Sequence, residues 1–196
     1  MTAATVAQNG QRLTEQEIAQ ARKLIEQTLN GVIGATKRLS DAQWRFKPSP
    51  EEWSVAENLD HMVIVQGRVL DGILTRLADA PAAPAGRDNQ VIDAMVIHQI
   101  PTRLDKFKAP EVVAPVGEIV PDEKLEQLKA NCKRLSERLE GSGLREHAVE
   151  APPLRAISKG AYDLMDGYQW ILAAAAHTER HTKQVLEVMA NPGFPV

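Results

Sequence analysis

Residues 166–191 read DGYQWILAAAAHTERHTKQVLEVMAN, and this stretch without proline carries the clearest helical pattern in the chain. Apolar residues recur in it at the spacing of one helix face, while charged residues fall on the opposite face. The apolar face consists of Trp170, Ile171, Ala174, Ala175, Val185, Leu186, Val188 and Met189. The pattern predicts a long amphipathic helix that begins near Asp166 and ends before Pro192.

Three more stretches without an internal proline predict three further long helices, because proline is excluded from helix interiors. The four predicted helices span residues 14–39, 54–80, 121–140 and 166–191. Thr14 with Glu17 has the spacing of a capping box at the first helix start. Strand signals are nearly absent, and a proline-rich connection at 81–121 carries a short helix, expected at 91–97. The sequence therefore predicts an all-α four-helix bundle with one long crossover connection.

Length and composition narrow the class of protein. The 196 residues suit a single domain, expected over 12–196 after a flexible N-terminus at 1–11. A net charge of −3 argues against nucleic acid or an anionic membrane as the partner. The single cysteine, Cys132, excludes a disulfide framework and a cysteine-rich zinc module. No apolar run reaches the roughly 20 residues of a membrane span, and no signal peptide is evident, so a cytoplasmic location is expected.

The sharpest chemical feature is the pair His177 and His181 in the last predicted helix. Residues four apart lie on the same helix face, so both imidazoles can reach one metal ion. The peptidase pattern H-E-x-x-H is not matched, because Glu179 comes one position too late and points away from the pair. The sequence therefore does not favour a zinc peptidase.

A pair of histidines at this spacing also arises by chance, so incidental histidines remain an alternative to metal ligands. Helix phase places His181 within the apolar face and His177 at its edge. Imidazoles that are partly buried need hydrogen-bond partners or a metal ion, since unpaired polar groups are costly to bury. Both interpretations stay open on spacing and phase alone.

A third ligand would have to come from another element, and His61 in the second predicted helix is the candidate. Its helix phase places it at a seam between helices and not in the innermost core, so a solvated histidine is the alternative. His98 lies in the crossover and His147 follows the third helix. Glu57, one turn before His61, either caps the helix through Ser54 or accepts a hydrogen bond from the imidazole, and capping is favoured.

Other candidate side chains carry weaker signals. Trp44 and Trp53 are expected to pack against one end of the bundle and not to bind an aromatic ligand. Trp170 either lines a metal pocket or fills the core. Cys132 is expected to be a structural or surface thiol, and Gln184 can exchange hydrogen bonds near His177 but cannot act as a general base.

Two groups of motifs frame the second and fourth helices. The second helix is preceded by WRFKP at 44–48 and begins within EEWSVAENLDHM at 51–62. The fourth helix contains YQWI at 168–171 and HTERHTKQV at 177–185. Together these motifs resemble the DinB-like (YfiT-type) family of metal-binding four-helix bundles, over residues 12–191. The resemblance implies a divalent metal held by one histidine of the second helix and two of the fourth.

In this sequence those ligands are His61, His177 and His181. Three neutral imidazoles suit Zn²⁺ or Ni²⁺ first, with Fe²⁺, Co²⁺ and Mn²⁺ as further options, and not Mg²⁺ or Ca²⁺. Three protein ligands leave positions open for water or substrate, and such an ion lowers the pKa of a bound water or thiol.

The family resemblance also implies a small-molecule substrate, with a low-molecular-weight thiol as co-substrate, and a homodimer. Known members include thiol-dependent S-transferases and a maleylpyruvate isomerase. The expected function is therefore a metal-dependent S-transferase or hydrolase in detoxification or stress chemistry. The alternatives are a metal-binding protein without catalysis and a helical bundle that serves protein interaction.

Overall fold

Helices dominate the computed structural model, which describes residues 12–102 and 110–196. The α-helices are α1 (Glu15–Ala35), α2 (Asp41–Arg45), α3 (Val55–Gly67), α4 (Leu74–Arg76), α5 (Asn89–Gln99), α6 (Pro121–Arg138), α7 (Pro152–Ile157) and α8 (Gly167–Met189). A π-helical segment, Arg68–Ile73, joins α3 to α4. Two 3₁₀ turns span Leu77–Asp79 and Glu111–Val113. The all-α prediction is confirmed at this level. The predicted flexible N-terminus at 1–11 lies outside the described residues.

The helix boundaries follow the capping signals in the sequence. Thr14 and Glu17 form the predicted capping box of α1, and Asp166 caps α8 through the backbone N–H of Gln169. The first predicted helix is too long, because α1 ends at Ala35 and Arg38 takes a left-handed backbone conformation with φ of 64°. The crossover helix α5 is longer than its predicted span. In the described residues, no helix is long and apolar enough to cross a membrane.

Helix α8 is the central element, since it packs against α1, α3 and α5, while α6 packs against α1 and α3. Residues 167–176 are buried on every side, which corrects the simple amphipathic pattern expected from the sequence. The cause is α5, which covers the side of α8 that would otherwise face water. The run of alanines at 173–176 keeps the helix thin enough for such close neighbours.

Two apolar clusters divide the core along α8. The first cluster surrounds residues 168–176 and includes Cys132 and Trp170; the second surrounds Val185 and Val188 and includes Trp44. His177 and His181 lie on α8 between the two clusters. The polar groups of the candidate site therefore occupy a layer with apolar packing on both sides.

The described residues include one small sheet, whose two strands gave no signal in the sequence. Strands β1 (Ala148–Glu150) and β2 (Leu164–Asp166) pair antiparallel, with Val149 opposite Met165. Each strand has three residues, which is too short for the alternating pattern that reveals a strand in a sequence. The sheet ends directly at the start of α8 and helps to place that helix.

A buried network of charges also fixes the start of α8. The Arg145 guanidinium donates hydrogen bonds to Asp166 at 2.9 Å, to Asp93 at 2.7 Å and to Glu17 at 2.6 Å, and it lies 4.3 Å above the ring of Tyr168. Burial raises the pKa of Asp166 above its usual range, although the positive charge of Arg145 opposes that shift. The network joins α1, α5 and the sheet to the helix that carries His177 and His181.

Candidate metal centre

The capping box at the start of α3 fixes where the helix begins and therefore where His61 lies along it. The Ser54 hydroxyl accepts a hydrogen bond from the backbone N–H of Glu57 at 3.1 Å, and the Glu57 carboxylate accepts one from the backbone N–H of Ser54 at 2.7 Å. Lys47 pairs with the same carboxylate at 3.1 Å. Glu57 is thus a capping residue, as favoured from the sequence, and His61 lies one turn further along α3.

The structure brings His61, His177 and His181 together. One ring nitrogen from each lies within 4.8 Å of the other two, and the Nε2 atoms of His61 and His177 are 3.2 Å apart. His98 is exposed on α5, and the Nδ1 of His147 lies 2.6 Å from the backbone oxygen of Ala80. Neither histidine belongs to the cluster. The choice of His61 as the third member of the cluster therefore agrees with the geometry.

Burial of His61 is deeper than helix phase indicated. The residue is only 3% exposed, so the alternative of a solvated histidine is wrong. The 3₁₀ turn at 111–113 packs against α3, and the backbone oxygen of Val113 lies 2.6 Å from Nδ1 of His61. The crossover thus covers a histidine that α3 alone would leave at an edge.

Hydrogen bonds assign the protonated nitrogen in two of the three rings. The carbonyl of Val113 can only accept, so Nδ1 of His61 carries the proton and its lone pair lies on Nε2. Asn58 Oδ1 lies 3.0 Å from Nδ1 of His181 and assigns that ring in the same way. Among the described residues, Nδ1 of His177 is buried without a hydrogen-bond partner.

Comparison with known proteins agrees with these observations. The family model of the DinB superfamily matches residues 24–185, a span that includes all three clustered histidines. The chain belongs to the DinB superfamily. A DinB-superfamily assignment confirms the resemblance inferred from the motifs at 44–62 and 168–185.

A curated relative of this DinB-superfamily chain is found in Bacillus subtilis (strain 168). It is the uncharacterized protein YuaE, 27% identical over 154 residues that cover 78% of this chain and 86% of the relative. No solved structure matches the chain significantly. The comparisons therefore give the family and leave the chemistry to be argued from the site.

The protonation states suit a metal ion, which binds imidazole only through a lone pair. Burial lowers the pKa of His61. Burial, together with the charges of His61 and Arg180, lowers the pKa of His177 to about 3. Both rings are therefore neutral near pH 7.

Two Nε2 atoms 3.2 Å apart repel each other through their lone pairs unless a proton or a cation lies between them. The DinB-superfamily site could hold a divalent transition metal, since three imidazoles match the ligand preference of such ions.

Trp53 forms a wall of the histidine cluster, which corrects its expected role at the bundle end. Its ring centroid lies 4.7 Å from that of His61, and it stacks on His181 at 6.0 Å. With Gln184, Trp53 also lines a small cavity of about 100 Å³. Trp44 and Trp170 instead pack in the two apolar clusters. Of the three tryptophans, Trp53 is therefore the one whose ring packs against the histidine cluster.

A second polar layer follows the histidines along α3 and α8. Gln66 donates to the hydroxyl of Thr178 at 3.0 Å, and Cys132 lies beside Gln66 with its sulfur 3.6 Å from Nε2. Burial raises the pKa of the Cys132 thiol to about 11. Cys132 is thus a structural thiol, in line with the sequence expectation, and not a nucleophile.

Proposed function

We propose that this DinB-superfamily protein binds one divalent transition metal through His61, His177 and His181. The observation that carries the proposal is that one nitrogen of each ring lies within 4.8 Å of the others, with His61 and His181 buried and His177 partly buried. Zn²⁺ and Ni²⁺ fit three imidazoles best, and Fe²⁺, Co²⁺ and Mn²⁺ are further candidates. We also propose that α1, α3, α6 and α8 form the four-helix bundle and that α5 belongs to its crossover.

The proposed reaction joins the sulfur of a low-molecular-weight thiol to an electrophilic carbon of a small substrate. The thiol gives up its proton, and either the carbon loses a leaving group or, in an addition, the adduct takes up a proton. When bound, the ion would supply positive charge that lowers the pKa of a coordinated thiol. The chain's own thiol does not serve, because Cys132 is 3% exposed and its pKa is raised to about 11. A thiol nucleophile must therefore come from solution. Trp53 would form the wall along which the substrate approaches, since it packs against both His61 and His181.

Other predictions about the whole molecule remain proposals. They are a single domain over 12–196, a homodimer and a cytoplasmic location without a nucleic-acid or membrane partner. The negative net charge of −3 supports the exclusion of nucleic acid.

Metal content of untagged protein tests the binding proposal. We expect one transition-metal ion per chain in the wild type, measured by elemental analysis after dialysis against metal-free buffer. His61→Ala, His177→Ala and His181→Ala should each lose most of the metal, because two imidazoles leave an incomplete set of ligands. His98→Ala and His147→Ala are the matched controls and should keep it. Equal metal content in the wild type and His61→Ala would overturn the three-histidine site.

A reaction screen tests the catalytic part separately. The metal-loaded protein is incubated with a series of small thiols and electrophiles, and each reaction is repeated after chelator treatment and after restoring the metal. Thiol consumption that depends on the protein and on the metal supports the transferase. Turnover without any thiol would indicate a hydrolase. Stoichiometric metal without turnover would indicate a binding protein, and protein without bound metal would favour an interaction role for the bundle.

A further inference from the structure

Asn58 is a fully buried amide that joins α3 to α8 next to the histidine cluster. Its side chain is 0% exposed and lies one turn before His61. The amide nitrogen, Nδ2, donates to the backbone oxygen of Ser54 at 2.9 Å, and the amide oxygen, Oδ1, lies 3.0 Å from Nδ1 of His181. Both ends of the amide are therefore engaged.

These two contacts allow only one orientation of the amide. A backbone carbonyl oxygen has no proton to donate, so the atom of Asn58 that faces Ser54 must be the NH₂ group. The amide oxygen then faces His181, and an amide oxygen can only accept. Nδ1 of His181 must therefore carry a proton, which leaves the lone pair of the neutral ring on Nε2.

We propose that Asn58 is a positioning residue, which holds His181 in the Nδ1–H tautomer and so presents Nε2 as its only metal-binding atom. The consequence for metal affinity rests on the proposed function, whereas the tautomer itself does not. Without an acceptor at this place, the His181 ring can rotate or move its proton to Nε2, and either change removes the lone pair from the cluster. Partners of this kind typically contribute 10- to 100-fold to metal affinity.

The chain offers a closely matched control in Gln66. It is also a buried amide on α3, 1% exposed, and it also bridges to α8, but its partner is the hydroxyl of Thr178 and not a histidine. Asn58→Leu and Gln66→Met each replace an amide by an apolar side chain of similar shape. Each removes one buried hydrogen bond between the same two helices. A general loss of packing or stability would therefore affect both variants alike.

The tautomer is read directly by NMR of protein labelled with ¹⁵N in the histidine rings, at neutral pH and after chelator treatment. We expect His181 in the Nδ1–H form in the wild type, in Gln66→Met and in Asn58→Asp, whose carboxylate keeps an acceptor at this place. Asn58→Leu should shift His181 toward the Nε2–H form. An Nε2–H form in the wild type would overturn the proposal without any variant, so the test does not depend on whether Asn58→Leu folds.

Metal affinity is measured on the same proteins by competition with a chromophoric chelator, using Zn²⁺ and Co²⁺ as probes. We expect Asn58→Leu to bind 10- to 100-fold more weakly and Gln66→Met to stay close to the wild type. An equal loss in Gln66→Met and Asn58→Leu would reduce Asn58 to a structural residue and overturn the proposal. If the wild type binds neither ion while the tautomers follow the expected pattern, the proposed function fails and the positioning of His181 stands.

Discussion

Replacing Arg145 by methionine should strongly destabilise the protein. Methionine keeps the length and apolar stem of arginine and can still pack on the ring of Tyr168, so the change removes mainly the charge. Arg145 is 5% exposed and neutralises three carboxylates, of which Asp166 is fully buried, Asp93 is 13% exposed and Glu17 is 26% exposed. Water can replace the arginine at Glu17 but not at Asp166.

The expected loss of unfolding free energy depends on which hydrogen-bond and ion-pair partners Asp166 and Asp93 retain in the variant. Breaking a buried ion pair by removing one partner typically costs about 3–5 kcal/mol. Asp166 keeps the backbone N–H of Gln169 at 2.8 Å and the more distant Arg87, 3.8 Å away, and Asp93 keeps the Gln169 side chain at 3.0 Å. We therefore expect the lower end, about 3 kcal/mol. For a chain of this length that lowers the melting temperature by roughly 6–12 °C.

Chemical denaturation at several pH values is the assay, with Arg155→Met as the matched control. Arg155 forms an exposed pair with Asp163 at 3.4 Å, and its loss should change the free energy of unfolding by less than about 1 kcal/mol. Without Arg145, the pKa of Asp166 in the folded protein rises further, so the folded state is favoured by protonation. The deficit of Arg145→Met should therefore be largest at neutral pH and shrink toward about pH 4. Equal losses in the two variants, or a deficit that grows on acidification, would refute the reasoning.

Three further predictions concern the metal, the thiol and a close contact. Metal affinity, measured by chelator competition, should not begin to fall until the pH is below about 6.5, the usual pKa of histidine, because burial lowers the pKa of His61. A loss of affinity between pH 8 and 7 would contradict this. Cys132 should react with a disulfide reagent only on unfolding, since its pKa is raised to about 11, and rapid labelling of the folded protein would count against its burial. Gly167→Ala should cost about 1–3 kcal/mol, because the added Cβ would lie 2.5 Å from a methyl group of Leu77, whereas Gly31→Ala in α1 should stabilise the protein slightly.

The helices could be predicted from the sequence because their signals are local. Proline positions, capping residues and apolar spacing each act within a few residues, and they located α1, α3, α6 and α8 with errors mainly at the ends. The sheet and the charge network could not be predicted this way. Asp93, Arg145 and Asp166 are brought together from three separate segments, and nothing in the neighbourhood of Arg145 in the sequence indicates a buried arginine.

The candidate metal centre shows the same division between local and distant signals. The spacing of His177 and His181 and the motif around His61 identified the three rings. Helix phase nevertheless misjudged the burial of His61, because the covering group, the carbonyl of Val113, comes from the crossover, 52 residues later in the chain. The sequence places Asn58 near His61 on the same helix, but it does not indicate that the Asn58 amide forms its hydrogen bond with His181 on another helix. Sequence motifs thus identify the three clustered histidines, whereas the groups that bury and orient these histidines depend on how distant segments pack. Variants at the three histidines would test the site itself, and variants at Asn58 would test how the fold prepares it.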